Sequence, residues 1–286
     1  MAGTAALRAR NLEFWTRAAP GWIRHADRQD ELGRPLGAAA FRSLRPVPGE
    51  NVLDVGCGTG GTTAELAAMV APTGRAVGVD LAQSMVDTAR SRFAAVANVR
   101  FEACDIETAG RVPGAPFDAA YSRMALMLLA DPVAGCASIR RALRPGGRFA
   151  ATVFRDAAAN PWLVAALLGA AAHVGPLPPL PVGGEPGPFA FADPARPERV
   201  LTAAGFSQVD AHPVDASLCA PDDPDGVTEW LIEVGPAGAA YRAAHPDQQA
   251  AARQGAAILL DRFRTAGTGY RLPAGIWLLT ARCPGP

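Results

Sequence analysis

From Asn51 to Val153 short apolar runs alternate with amphipathic stretches, and the spacing is that of strands separated by helices. The pattern predicts strands at 51–55, 76–80, 99–103, 117–121 and 147–153. It predicts helices over 62–69, 83–93 and 133–143, the last stopped by Arg144-Pro145-Gly146-Gly147. Strands joined through helices imply right-handed crossovers and a parallel, doubly wound α/β sheet.

The flanks follow another rhythm. Residues 11–44 read as helical segments interrupted at Pro20-Gly21 and at Gly33-Arg34-Pro35. After Arg155 come a helix at 161–173 and a stretch at 175–181 too rich in proline for regular structure, expected to be a surface loop or lid. A helix at 197–204, a strand at 208–214, helical sequence between Asp225 and Thr265 and a strand at 276–281 complete the expected order. Neither an internal repeat nor a clear linker divides the chain, so a single domain is expected over residues 1–286.

The chemistry concentrates in Asp54-Val55-Gly56-Cys57-Gly58-Thr59-Gly60-Gly61, directly after an apolar strand and before a helix. Glycines there let the backbone turn tightly and approach a ligand at the carboxyl end of a strand. Read as Gly56, Gly58 and Gly61, the loop also satisfies the dinucleotide fingerprint, which by itself is weak evidence. Asp54 discriminates, because a dinucleotide site ordinarily places an apolar residue two positions before the first glycine. A buried acid must be satisfied, and a cationic ammonium or a water network would do so.

With these residues the chain resembles the class I S-adenosylmethionine (SAM)-dependent methyltransferases, whose first motif is an acidic strand end followed by G-x-G-x-G. Asp80, in Val77-Gly78-Val79-Asp80-Leu81, and Asp105, in Phe101-Glu102-Ala103-Cys104-Asp105-Ile106, stand at two further strand ends. An acid placed as Asp80 is can accept from both ribose hydroxyls, in either cofactor class; the resemblance gives Asp105 the adenine amino group. It implies a cofactor site of Asp54, Gly56, Cys57, Gly58, Gly60, Asp80, Leu81, Met85, Asp105, Ile106, Ser122 and Arg123, with S-adenosylhomocysteine as the product. It further implies a Rossmann-like, mostly parallel seven-stranded sheet with an antiparallel last strand. Residues 1–45 would form an N-terminal helical cap, 46–155 the SAM-binding core, and 156–286 the lid segments and last two strands.

Composition narrows the partners. Basic and acidic residues both number 27, so no net field draws the chain onto nucleic acid or anionic lipid. No lysine is present, which excludes Schiff-base and P-loop lysine chemistry. The five cysteines are scattered without a C-x-x-C pair, so neither a disulfide framework nor a metal site is expected. No apolar run has the length of a signal peptide or a membrane span, and a cytoplasmic address is expected, with a homodimer compatible with the chain.

The fourth strand is followed by Ser122-Arg123-Met124-Ala125 rather than an Asn-Pro-Pro-Tyr type motif, which in the resembling family argues against bases or protein amides as acceptors. The expected reaction is therefore in-line methyl transfer to a small metabolite, with oxygen favoured over nitrogen or carbon. Alternatives are a SAM-binding enzyme of non-methylating chemistry and an NAD-linked oxidoreductase, the latter disfavoured by Asp54. His173, beside the proline-rich loop, and His25 are candidate general bases. Trp15, Trp22, Tyr121 and Met127 read either as cap and substrate wall or as packing. Arg123 reads as a fork for an acidic acceptor or as a loop salt bridge.

Overall fold

The structure is a computed structural model, and it describes residues 2–177, 181 and 183–285. Part of the expected proline-rich loop, residues 178–180, lies outside the described residues.

The predicted alternation of strands and helices is present. In chain order the elements begin with α1 (Ala2–Arg24), α2 (Ala26–Leu44), β1 (Asn51–Val55), α3 (Gly61–Val70), β2 (Arg75–Asp80), α4 (Gln83–Arg92) and β3 (Val99–Ala103). They continue with β4 (Phe117–Arg123), α5 (Pro132–Ala142), β5 (Leu143–Phe154), α6 (Pro161–Ala171), α7 (Arg196–Ala203) and β6 (Ser207–Ala220). The chain then forms α8 (Pro224–Val234), α9 (Gly238–Ala243), α10 (Pro246–Leu260), β7 (Arg264–Thr265) and β8 (Gly269–Arg282).

The strand order is β3-β2-β1-β4-β5-β8-β6, with the two-residue β7 added on β8 as an eighth strand. Neighbours from β3 to β5 run parallel, and β8 is antiparallel to both β5 and β6. The order reverses at β1, so the strand ends of β1 and β4 diverge into a crevice, the usual ligand position in such sheets.

Alternation along the strands sorts the core into two faces. Val52, Tyr121 and Ala150 pack with Ala40, Leu44 and Leu66 of α2 and α3. Leu53, Val55, Phe149 and Ala151 belong to the cluster that includes Cys136 and Ile139 of α5 and Val200 and Leu201 of α7.

Two expectations about the N-terminus are corrected. Both α1 and α2 run through their prolines, Pro20 and Pro35, and the chain breaks at His25 instead. Burial of Leu32, Leu36, Ala39, Ala40 and Leu44 along α2 outweighs the lost hydrogen bond. The helical stretch after Asp225 is three helices, and α1 packs against α8 and α9, so the N-terminal helices and those after β6 form one helical layer.

Candidate functional site

The glycine loop leaves β1 and is pinned to the next strand by the Gly56 and Cys57 amides, which donate to the Val79 carbonyl at 2.9 and 3.1 Å. Gly56 (φ 71°) and Gly58 (φ 53°) hold left-handed conformations that disfavour side chains. A Cβ at Gly58 would meet no atom within 4 Å, so the loop backbone is open to a ligand there.

Beneath the loop, Asp54 is 1% exposed. Its Oδ2 accepts from Thr62 Oγ1 at 2.6 Å and Thr63 Oγ1 at 2.7 Å, both in the first turn of α3. Its Oδ1 has no partner. Burial pushes the carboxyl up to about 6 against the two threonine hydroxyls and Arg123, which pull it down. An unpartnered acid oxygen under an open glycine loop fits a cationic amino group or a water linked to one. Asp54 sits behind the cavity wall and not on it.

At the end of β2, Asp80 accepts from the Gly58 amide at 2.9 Å and from the Ala82 amide at 2.9 Å. The acid thereby ties the loop to the start of α4, and burial raises its pKa above the ordinary carboxylate value. Each oxygen keeps a lone pair for a hydroxyl. Asp105 at the end of β3 accepts from the Glu107 amide and Thr108 Oγ1. These two acids, with Leu81, Met85 and Ile106, line one wall of a cleft that opens to solvent. Gly56, Cys57 and Gly58 line its floor. The Cys57 thiol is held protonated by burial and by the charges of Asp80 and Asp54.

The helical layer supplies the opposite wall. Trp15 and Trp22 of α1 pack edge to face with centroids 5.7 Å apart, and both face the cleft. The Trp22 indole donates to the Val234 carbonyl at 3.1 Å, fixing α1 to α8. Asn11 donates to the Leu128 carbonyl at 2.7 Å and so joins α1 to the turn after β4. Arg123 also faces the cleft, 3.8 Å from Asp30 of α2.

Several predicted residues stand elsewhere. Gly60 (φ 93°) leaves room for Ala89 and the Phe101 ring rather than for a ligand. β4 extends to Arg123, so Ser122 is buried inside it and donates to the Val55 carbonyl at 2.9 Å. Tyr121 is fully buried and stacks on Phe41 at 4.5 Å, away from the cleft. Met127 is in the core, its sulfur accepting from the Phe154 amide. His25 is bonded to the buried Glu233 at 3.1 Å, and Glu233 also takes Arg24 at 2.9 Å. His173 packs at Gly255 of α10. Neither histidine lines the cleft, because the breaks in α1–α2 and after α6 turn both toward α8 and α10.

The structure adds Asn11, Gln29, Asp30, Gly33, Leu36 and Glu107 to the wall. Glu107 is 8% exposed and accepts from the Ala130 and Asp131 amides at 3.1 and 2.6 Å, holding the mouth of α5. A buried acid two residues after Asp105 was visible in the chain, but its partners lie 23 and 24 residues away. Among the described residues no three His, Cys, Asp or Glu side chains gather into a metal-binding group.

This arrangement, a glycine loop over a buried acid followed by two acidic strand ends, coincides with a match to known proteins. A methyltransferase-domain family model matches residues 52–147. Nocamycin O-methyltransferase of Saccharothrix syringae is 32% identical over 203 residues, covering 67% of this chain and 71% of that protein. An uncharacterized 37.1 kDa protein in transposon TN4556 of Streptomyces fradiae is 40% identical over 124 residues, 42% of this chain and 36% of that protein. The chain thus spans little more than a third of that relative's length. The crystal structure of the YcgJ protein from Bacillus subtilis superposes with a TM-score of 0.56 at 16% identity, covering 87% of this chain and 98% of that one. The chain belongs to the class I SAM-dependent methyltransferase family.

Proposed function

We propose that the protein catalyses SAM-dependent methyl transfer to a small-molecule metabolite, with oxygen as the accepting atom. SAM, when bound, supplies an electrophilic methyl group on a cationic sulfur. The observation that carries the reading is the single cleft that joins the glycine loop and the Asp80–Asp105 wall to the Trp15–Trp22 roof. In this reading Asp80 takes the ribose hydroxyls and Asp105 the adenine amino group, and their place on one cleft wall with Leu81, Met85 and Ile106 supports it. Asp54, reached through or beneath Gly56–Gly58, supplies the anionic partner for an amino group.

The chain's own contribution is alignment and exclusion of water, which such a displacement needs more than covalent catalysis. Trp15 and Trp22 roof the cleft, and the Asn11 and Trp22 hydrogen bonds keep α1 seated. Nocamycin O-methyltransferase carries an oxygen acceptor in its name, which supports the choice of atom. We read residues 1–286 as one domain whose first 45 residues are the cap, working in the cytoplasm on a free metabolite rather than on nucleic acid.

The test is incubation of the protein with methyl-labelled SAM and a panel of metabolite extracts, followed by mass spectrometry against an Asp80→Ala control. A labelled product formed by the intact protein alone is the expected outcome. No label transfer together with no binding of S-adenosylhomocysteine would overturn the reading.

A further inference from the structure

Most polar groups on the cleft wall are spent on the protein itself. Asp80, Asp105 and Glu107 accept from backbone amides, and Asn11 and Trp22 donate to backbone carbonyls. Gln29 and Arg123 differ. The Gln29 Oε1 accepts from the Trp230 indole at 2.9 Å. An indole nitrogen only donates, so the partner dictates which end of the amide it meets, and the Gln29 NH2 is left directed elsewhere. Among the described residues that NH2 makes no hydrogen bond, and Gln29 faces the cleft.

The Arg123 guanidinium makes no hydrogen bond among the described residues, only the 3.8 Å ion pair with Asp30. Asp30 is itself engaged more closely by Arg92, at 2.8 Å. Asp27, the other acid on Arg92, has a side chain 98% exposed and is screened by water. Asp54 faces Arg123 from the sheet but lies behind the wall. Gly33 follows Gln29 by one helical turn, and the Arg123 Nη1 stands 3.6 Å from where a Cβ of Gly33 would be. Gln29 and Arg123 therefore lie toward the same stretch of the cleft, whose wall also carries Leu36 and Met124.

No imidazole reaches this stretch. His25 is held by Glu233, His173 packs on α10, His212 pairs with Asp210 at 2.7 Å, and His245 caps α10. An acceptor that arrives ionised needs no base to remove a proton.

We propose that Gln29 and Arg123 form a carboxylate receptor for the methyl acceptor, so that the substrate class is carboxylic acids with an apolar body. The planar fork of Arg123 matches a carboxylate, the Gln29 amide adds a neutral donor, and Leu36 and Met124 receive the body. The inference rests on reading the cleft as the methyl-transfer site.

The experiment is calorimetric titration of the protein, preloaded with S-adenosylhomocysteine, with 1-naphthoate and with its neutral counterpart 1-naphthamide. Naphthoate is expected to bind about tenfold more tightly than the amide, and Arg123→Gln and Gln29→Leu each to erase about that factor. Arg123→Lys, which keeps the charge and loses the fork, is expected to fall between. Trp230→Phe leaves the cleft wall intact but frees the Gln29 amide to turn, and is expected to lower naphthoate affinity with no change for naphthamide. Equal affinity for the two probes, or no binding of naphthoate to the loaded protein, would overturn the proposal. So would an Arg123→Gln variant that loses affinity for S-adenosylhomocysteine but keeps it for 5′-methylthioadenosine, which lacks the amino-acid end; Arg123 would then hold the cofactor's own carboxylate. Failure of the unmodified protein to bind S-adenosylhomocysteine would overturn the methyltransferase reading instead.

Discussion

Arg92 Nη2 lies 2.8 Å from Asp30 Oδ2, and the same guanidinium donates through Nη1 to the Thr59 carbonyl at 2.8 Å. One side chain of α4 thus ties α2 to the glycine loop. The groups are only partly buried, 21% and 22% exposed, so the pair adds about 1 kcal/mol at most to stability. Its larger consequence is geometric. Arg92→Ala is expected to leave Tm within a few degrees while weakening S-adenosylhomocysteine binding about tenfold, because loop and cap lose their common anchor. Calorimetry of folding and of binding on the same variant checks both halves; unchanged affinity would show that the loop holds its shape without the cap.

Asp80→Ala removes an acceptor from the Gly58 and Ala82 amides as well as the proposed ribose contact. Loss of charge-assisted hydrogen bonds in a partly buried place is expected to weaken S-adenosylhomocysteine binding by about 2 kcal/mol. Titration calorimetry at constant pH measures it, and affinity within twofold of the unmodified protein would remove Asp80 from the site.

Burial sets the pH behaviour of Asp54. Its carboxyl is lifted from 3.8 to about 6, so the folded protein keeps a proton that the unfolded chain has already released. Stability from this group therefore falls as pH rises from 3.8 through about 6 and is level above. Asp54→Asn is expected to raise the stability of the ligand-free protein at neutral pH, by roughly 3 kcal/mol at the upper bound, with the gain fading toward pH 4. Binding should run the other way. A cationic amino group favours the ionised acid, so S-adenosylhomocysteine affinity is expected to climb with pH through about 6 in the unmodified protein and to stay flat in Asp54→Asn.

A Cβ at Gly37 would overlap the Tyr121 hydroxyl, which is buried and without a partner. Gly37→Ala is expected to destabilise the protein by about 2 kcal/mol through overpacking. Tyr121→Phe removes the unpartnered oxygen and is expected to be neutral or stabilising. The double variant should recover most of the loss, a coupling that urea denaturation of all four proteins would read directly.

His173→Ala is expected to retain full turnover, since the side chain meets Gly255 on α10 rather than the cleft. Loss of turnover with unchanged Tm would return His173 to the catalytic machinery.

The alternation of strands and helices from Asn51 to Phe154 was legible in the chain, because the apolar periods of two and 3.6 residues are local and dictate which face each element buries. So were the three acids at successive strand ends, Asp54, Asp80 and Asp105, since a strand end fixes where the following residues emerge. Tertiary packing decided the rest. It carried α1 and α2 through Pro20 and Pro35, where local propensity expects a break. It turned Tyr121 onto Phe41 and Ser122 onto Val55, because β4 runs to Arg123 and keeps both residues inside the packed sheet rather than beyond a strand end. It brought Gly33 and Gly37 of α2 against Arg123, residues about ninety positions apart along the chain. Such a corner has no local signature, since its members share only the space between a helical layer and the ends of a sheet, and that space exists after both have folded.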